Sequence, residues 1–367
     1  PYVWSVQDLA VGEGGTITIK GVAEEERLIN TAIISSTTPE LVPSSTSATV
    51  QTHVEGLIYV DENAPGPVRD GNSWATAYTD LQDALGYTAA GDEIWVAEGV
   101  YKPTAGADRT ATFQLVEGVQ LYGGFQGDEV WRHERDWAAH PTVLSGDIGT
   151  VGNPADNVYH VVNSSSMSAA TVLDGFTVIG GNADGTDAAG LGGGLYNDAG
   201  SPTLFNVTFA GNAAGLGGGI YNANGGSPVL VDVAFTGNTA VVAGGGLYNT
   251  GGSNPQLTNV TLSGNSTGGS GGGIGNQDSS PALRNCILWG NAPDQISDGG
   301  TSTTSAGFSD IQGGWLGAAN LDEDPAFYDA DGPDNILGTL DDNLRLRYTS
   351  AAIDVGDDSA VPFDVFD

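Results

Sequence analysis

Basic residues are scarce in this 367-residue chain: 10 Lys and Arg stand against 45 Asp and Glu, for a formal net charge of −35. Such a surface repels nucleic acid and anionic membranes, so neither is expected as a partner. Cysteine is nearly absent, and a lone Cys286 excludes an internal disulfide framework. No apolar run approaches the roughly 18 residues of a membrane-spanning helix. Nor do the repeats described below carry the 3.6-residue apolar period of a helix-pair solenoid. The two-residue hairpin turns that an antiparallel sandwich places between its strands are missing too.

What is abundant is glycine, with 57 residues, and it is placed periodically. The triplet Gly192-Gly193-Gly194 returns at 217–219, 244–246 and 271–273, and each copy is followed by an apolar residue and, two positions later, an Asn. These pairs are Leu195/Asn197, Ile220/Asn222, Leu247/Asn249 and Ile274/Asn276. A second phrase interleaves with the first: Leu204–Phe209, Leu230–Phe235, Leu257–Leu262 and Leu283–Leu288, each closed by a Gly-Asn pair. Within that phrase the apolar parity jumps from Leu204 to Val207 and Phe209. One residue between them must therefore turn sharply, because strand side chains alternate faces. Asn206 occupies the bend, as do Asp232, Asn259 and Asn285 in the later copies, and Asn and Asp tolerate the left-handed backbone a bend needs.

Two short strands meeting at that bend, with a third at the glycine triplet, make a triangular coil of about 26 residues. Stacked in parallel at about 4.8 Å, such coils bring Asn206, Asp232, Asn259 and Asn285 into one side-chain ladder and Asn197, Asn222, Asn249 and Asn276 into another. The expected fold is all-β, a right-handed parallel β-helix. Residues 112–292 form its coils, residues 56–111 supply an opening strand and a short helical cap, and residues 293–367 form an acidic C-terminal region. The cap is expected at Trp74–Leu85, from the spacing of Trp74, Tyr78, Leu81 and Leu85. Residues 1–55 differ in composition, with strands expected at Thr16–Lys20 and Thr31–Ser35.

The Gly-Gly-Gly-Leu-Tyr-Asn and Phe/Leu-x-Gly-Asn phrases resemble the repeats of polymorphic outer-membrane proteins, within the pectate-lyase-like superfamily of right-handed β-helices. Ile287–Asn291, Asp310–Gly314, Leu321–Phe327 and Ala351–Asp354 resemble the choice-of-anchor domain of secreted bacterial surface proteins. Val3–Val6 and Gly14–Ile19 look like part of an Ig-like bacterial surface repeat. These resemblances imply an extracellular, cell-surface protein.

Three sets of residues carry candidate chemistry. Asp329, Asp331, Asp334, Asp341 and Asp342 crowd carboxylates as a hard cation requires, so a structural Ca²⁺ is expected there. The competing reading is an Asp-rich capped turn. Tyr196, Tyr221 and Tyr248 share one outward position in successive coils, as a stripe for a glycan or protein partner, or merely as cover for their own sheet. Arg109, Arg132, His133, Arg135 and His140 are the one basic cluster, expected to tie their loop to Asp108, Glu129, Glu134 and Asp136. Cys286 replaces Val at an inward position and is expected to be a buried structural thiol.

A polysaccharide lyase needs a basic residue to abstract a proton, and a hydrolase needs a close carboxylate pair. No Lys or Arg lies between Arg135 and Arg284, and Asp174, Asp198 and Asp232 fall on separate coils. The expectation is a non-catalytic structural or adhesive β-helix with copies of itself, other surface proteins or glycans as partners. Residues 1–55 are expected to be part of an incompletely represented Ig-like domain or, as the competing reading, a segment that completes a neighbour's sheet and makes the protein a filament subunit. A carbohydrate-binding or polysaccharide-cleaving β-helix is the alternative.

Overall fold

The computed structural model describes residues 28–33, 47–52 and 56–360. The chain divides into two units, Pro1–Val54 and Glu55–Asp367. In the first, Leu28–Ile33 and Ser47–Thr52 pair antiparallel, Leu28 opposite Thr52 and Ile33 opposite Ser47. The strand expected at Thr31–Ser35 thus begins earlier, and the one expected at Thr16–Lys20 lies outside the described residues.

The second unit is a right-handed parallel β-helix. One sheet runs through nine parallel strands, from Leu57–Val60 through Val172–Asp174, Thr203–Phe205 and Val229–Val231 to Ser305–Gly307. A second has eight strands, from Gly99–Tyr101 to Asp310–Ile311, and a third has seven, from Phe113–Gln114 to Ile296–Gly299. The register is strict. Leu173, Leu204, Leu230, Leu257 and Leu283 align across five coils, and each is at most 3% exposed. The parity break falls where expected: Leu204, Val207 and Phe209 are all fully buried, and Asn206 between them has φ 49°. Asp232, Asn259 and Asn285 repeat the bend at φ 54°, 56° and 55°.

A fourth, shorter sheet of four strands was not anticipated: Asn182–Ala183, Ala213–Leu216, Thr239–Ala243 and Ser266–Thr267. Apart from Thr239, Val241, Val242 and Thr267, its residues carry little strand propensity of their own. Neighbouring coils hold them extended, with only Ala183, Ala214 and Ala240 turned to the core.

The glycine triplets follow from packing. Gly217, first of its triplet, sits at φ 67°, a conformation costly for residues with a Cβ. A Cβ on Gly218 would lie 2.4 Å from Thr239 O, and one on Gly219 would lie 2.5 Å from Gly246 O. Only glycine lets the coils close at this corner.

The helical cap is shorter than its spacing implies. Trp74–Thr76 is a single 3₁₀ turn and Leu81–Leu85 one short α-helix. Tyr78 interrupts them because it bridges to Val60, its N–H donating to Tyr59 O at 2.9 Å. Leu81, Ala84 and Leu85 are buried over the end of the core. On the outside of the nine-stranded sheet, Trp95, Tyr122 and Phe125 form a second apolar cluster with Tyr59 and Trp74 against it. Beyond Ile311 the chain folds back along the coils, where Phe327–Asp329 and Asn343–Leu346 form an antiparallel pair. Gly211 and Gly237 allow Gly338 to rest on two successive turns, since a Cβ on either would lie within 2.6 Å of its backbone.

Candidate functional site

The inward asparagines form a continuous hydrogen-bonded ladder. Asn197 Nδ2 donates to Asn222 Oδ1 at 2.8 Å, Asn222 to Asn249 at 2.9 Å and Asn249 to Asn276 at 2.8 Å. Each amide thus donates to the next coil and accepts from the previous one. Ser164 Oγ supplies the first donor, at 3.1 Å, and Asp298 closes the ladder by accepting from Asn276 at 2.8 Å. A carboxylate suits that last position, which needs only an acceptor. All four asparagines are at most 4% exposed, so the ladder satisfies amides that burial would otherwise penalise by about 1–3 kcal/mol each.

A second buried ladder was missed as such. Asn212, Asn238, Asn265 and Asn291, the closing residues of the Gly-Asn pairs, donate in sequence at 3.0, 2.9 and 2.9 Å, and Asn291 donates to Gln295 Oε1 at 2.6 Å. The fixed recurrence of Gly-Asn was the available signal. At the bend, polarity reverses. Asn285 donates to Asn259 at 3.1 Å, Asn259 to Asp232 at 2.9 Å and Asn206 to Asp174 at 3.0 Å. Asp174 therefore joins this row one coil early. Cys286 is 1% exposed, and burial pushes its thiol up to about 12.

Tyr196, Tyr221 and Tyr248 lie in register on the outer face of the seven-stranded sheet. Their rings are parallel within 12°, with centroids 5.8 and 5.9 Å apart, and His160 extends the row at 5.1 Å from Tyr196. Gly275 ends it. Stacking turns each inner ring face toward its neighbour, so edges and hydroxyl groups meet solvent. Partial burial raises all three phenol pKa values.

The basic cluster does bind acids, but not the ones adjacent in sequence. Arg109 pairs with Asp184 at 2.7 Å, Arg132 with Glu93 at 3.0 Å, Arg135 with Asp174 at 2.5 Å and His140 with Glu98 at 2.9 Å. Asp108, Glu129, Glu134 and Asp136 instead accept backbone N–H groups of their own loops. The correction is geometric: a coil brings residues a full turn apart closer than loop neighbours, so the guanidinium groups tie successive coils together.

Of the five C-terminal aspartates, three gather around one hydroxyl. Thr339 Oγ1 lies 2.5 Å from Asp341 Oδ1, 3.4 Å from Asp342 Oδ1 and 3.5 Å from Asp334 Oδ1. Asp342 also accepts from Thr236 Oγ1 at 2.6 Å, fastening this loop to the coils, and burial raises its pKa. Asp329 and Asp331 flank the loop, their backbone carbonyls accepting from Gly332 and Ile336. Among the described residues no three His, Cys, Asp or Glu side chains are arranged to hold a metal ion.

A cleft of about 820 Å³ lies where the returning C-terminal segment crosses the bend row, lined by Asp232, Asn259, Asn285, Asp310 and Arg345 among others. Burial raises the pKa of Asp310, aided by Asp322, Glu323 and Asp324 nearby. In comparisons with known protein families, curated proteins and solved structures, the chain matches none.

Proposed function

We propose that this chain is a non-catalytic structural and adhesive β-helix of a bacterial cell surface, a rigid extracellular stalk of the polymorphic outer-membrane-protein type. The observation that carries the reading is the pair of buried asparagine ladders. In coil after coil the inward amides of Asn197–Asn276 and Asn212–Asn291 are used on the next coil. That arrangement stiffens a rod and leaves these groups unavailable to a substrate. The arginines of the first coils support it too, being engaged in ion pairs that join coils.

Residues 1–55 make the stalk a filament subunit, completing a sheet in the next molecule. The antiparallel pair of Leu28–Ile33 and Ser47–Thr52 supports this, because strand pairing of that kind is how one chain adds to the sheet of another.

A carbohydrate-binding or carbohydrate-cleaving β-helix is the second reading, favoured by the cleft with Asp232, Asp310 and Arg345. One experiment separates the two. The full chain is incubated with acidic and neutral polysaccharides, with and without Ca²⁺, and assayed for reducing ends and unsaturated uronates. The structural reading expects no products. Turnover abolished by Asp310→Asn would replace it with the second.

A further inference from the structure

Between the strands Thr142–Ser145 and Val162–Asn163 the chain leaves the coil in a loop whose neck is closed by Val158 N–H donating to Gly146 O at 3.0 Å. Three oxygen-bearing side chains belong to this loop. Asp147 accepts Gly152 N–H on both carboxylate oxygens, at 3.2 and 3.0 Å. Asp156 accepts Thr150 N–H on Oδ2 at 3.0 Å, while its Oδ1 is buried with no hydrogen-bond partner. Asn157 is only 8% exposed, and its Oδ1 is likewise buried and unpartnered.

The Asn157 amide orientation is settled by chemistry. Its Nδ2 donates to Gly180 O at 2.7 Å, and a carbonyl accepts only from the NH₂ end. Oδ1 is therefore held as an acceptor. Asp147 stands beside this amide: a Cβ built on Gly180 would lie 3.3 Å from Asp147 N, 3.7 Å from Asp147 Cβ and 3.6 Å from Asn157 Nδ2.

Consecutive residues thus present two buried oxygens with no donor. Arg109 does not supply the missing charge. Its guanidinium donates to the backbone carbonyls of Asn157 and Asn182 and to the Asp184 carboxylate. Buried oxygen acceptors without donors are costly, and a hard cation is the partner that carboxylate and amide oxygens share.

We infer that the 147–157 loop holds a Ca²⁺ ion on Asp156 Oδ1 and Asn157 Oδ1, with Asp147 completing the set of side-chain oxygens. The loop joins two sheets of an early coil, so the ion stiffens the corner that Arg109 ties to the next coil. This site is separate from the aspartates at 329–342.

The test is Ca²⁺ titration calorimetry on the full chain carrying Asp341→Asn and Asp342→Asn, which removes the C-terminal contribution. The expected result is uptake of one ion, weakened at least tenfold by Asp156→Asn, with the circular dichroism of the Ca²⁺-free protein unchanged. Asp156→Asn preserves an acceptor for Thr150 N–H, so loss of folding is not the expected cause. A second readout is a crystal structure grown in Ca²⁺. Absence of uptake, uptake indifferent to Asp156→Asn, or a water molecule in place of the ion overturns the proposal.

Discussion

Replacing Asn249 by Ala removes the middle of the inward ladder. The amide of Asn249 accepts from Asn222 Nδ2 at 2.9 Å and donates to Asn276 Oδ1 at 2.8 Å. Its loss leaves a donor on one coil and an acceptor on the next, both on residues at most 4% exposed. Each orphaned buried group costs about 1–3 kcal/mol, so the pair costs about 2–6 kcal/mol. Stacked coils unfold in parts, so one global midpoint is a poor measure. Hydrogen exchange read peptide by peptide is the suitable assay. Protection should fall mainly in Ile220–Ala223, Leu247–Thr250 and Ile274–Gln277, the strands carrying these amides. The exposed Gln256 is the control, and its replacement by Ala should stay within about 0.5 kcal/mol. If Asn249→Ala matches that control, the ladder does not hold the coils together.

Asn259→Val places a β-branched residue at φ 56° and removes the bond to Asp232; denaturation should show a loss of at least about 1–2 kcal/mol. Asp342 has a pKa raised by burial above its ordinary 3.8. Its contribution is therefore full below 3.8 and lost as pH rises through the higher folded value. Exchange in residues 337–342 should quicken over that window, and Asp342→Asn should flatten the response. His160, with its pKa lowered by burial from 6.5, acts in the opposite sense: stability is present above 6.5 and falls as pH drops through the folded value, an effect that His160→Gln should remove from a pH series of melts. For the Ca²⁺ expected from the sequence at Asp329–Asp342, neutralising crowded carboxylates should raise the melting temperature in the chain carrying Asp156→Asn, and a chelator should reverse the gain. Indifference would remove the metal from that loop.

The coil was legible because its apolar positions and bends recur at fixed places, so one reading of Leu204–Phe209 explained every later copy. The ladder at Asn197 followed from stacking alone, and so did the position of the bend row, although its bonds join Asn285, Asn259 and Asp232 on one side and Asn206 and Asp174 on the other. The ladder through Asn212 did not, because an asparagine after glycine reads first as a turn residue and local sequence does not reveal its burial. The fourth sheet was hidden for a related reason: Asn182–Ala183 and Ala213–Leu216 lack strand-forming side chains and are extended by their neighbours. Ion pairs were least legible. Arg135 and Asp174 are 39 positions apart and Arg109 and Asp184 are 75 apart, so proximity along the chain pointed to the wrong acids. The paired orphan oxygens of Asp156 and Asn157 could be found only once their donors had been placed.

Electron microscopy of the full chain, beside a chain beginning at Glu55, tests the central claim that this protein is a building unit of surface structures. The full chain should form rods joined end to end, each solenoid spanning about 38 Å for nine strands spaced about 4.8 Å apart. The shortened chain should remain as single rods. Full-length particles that stay solitary at every concentration, or polymers that persist without residues 1–54, would contradict it.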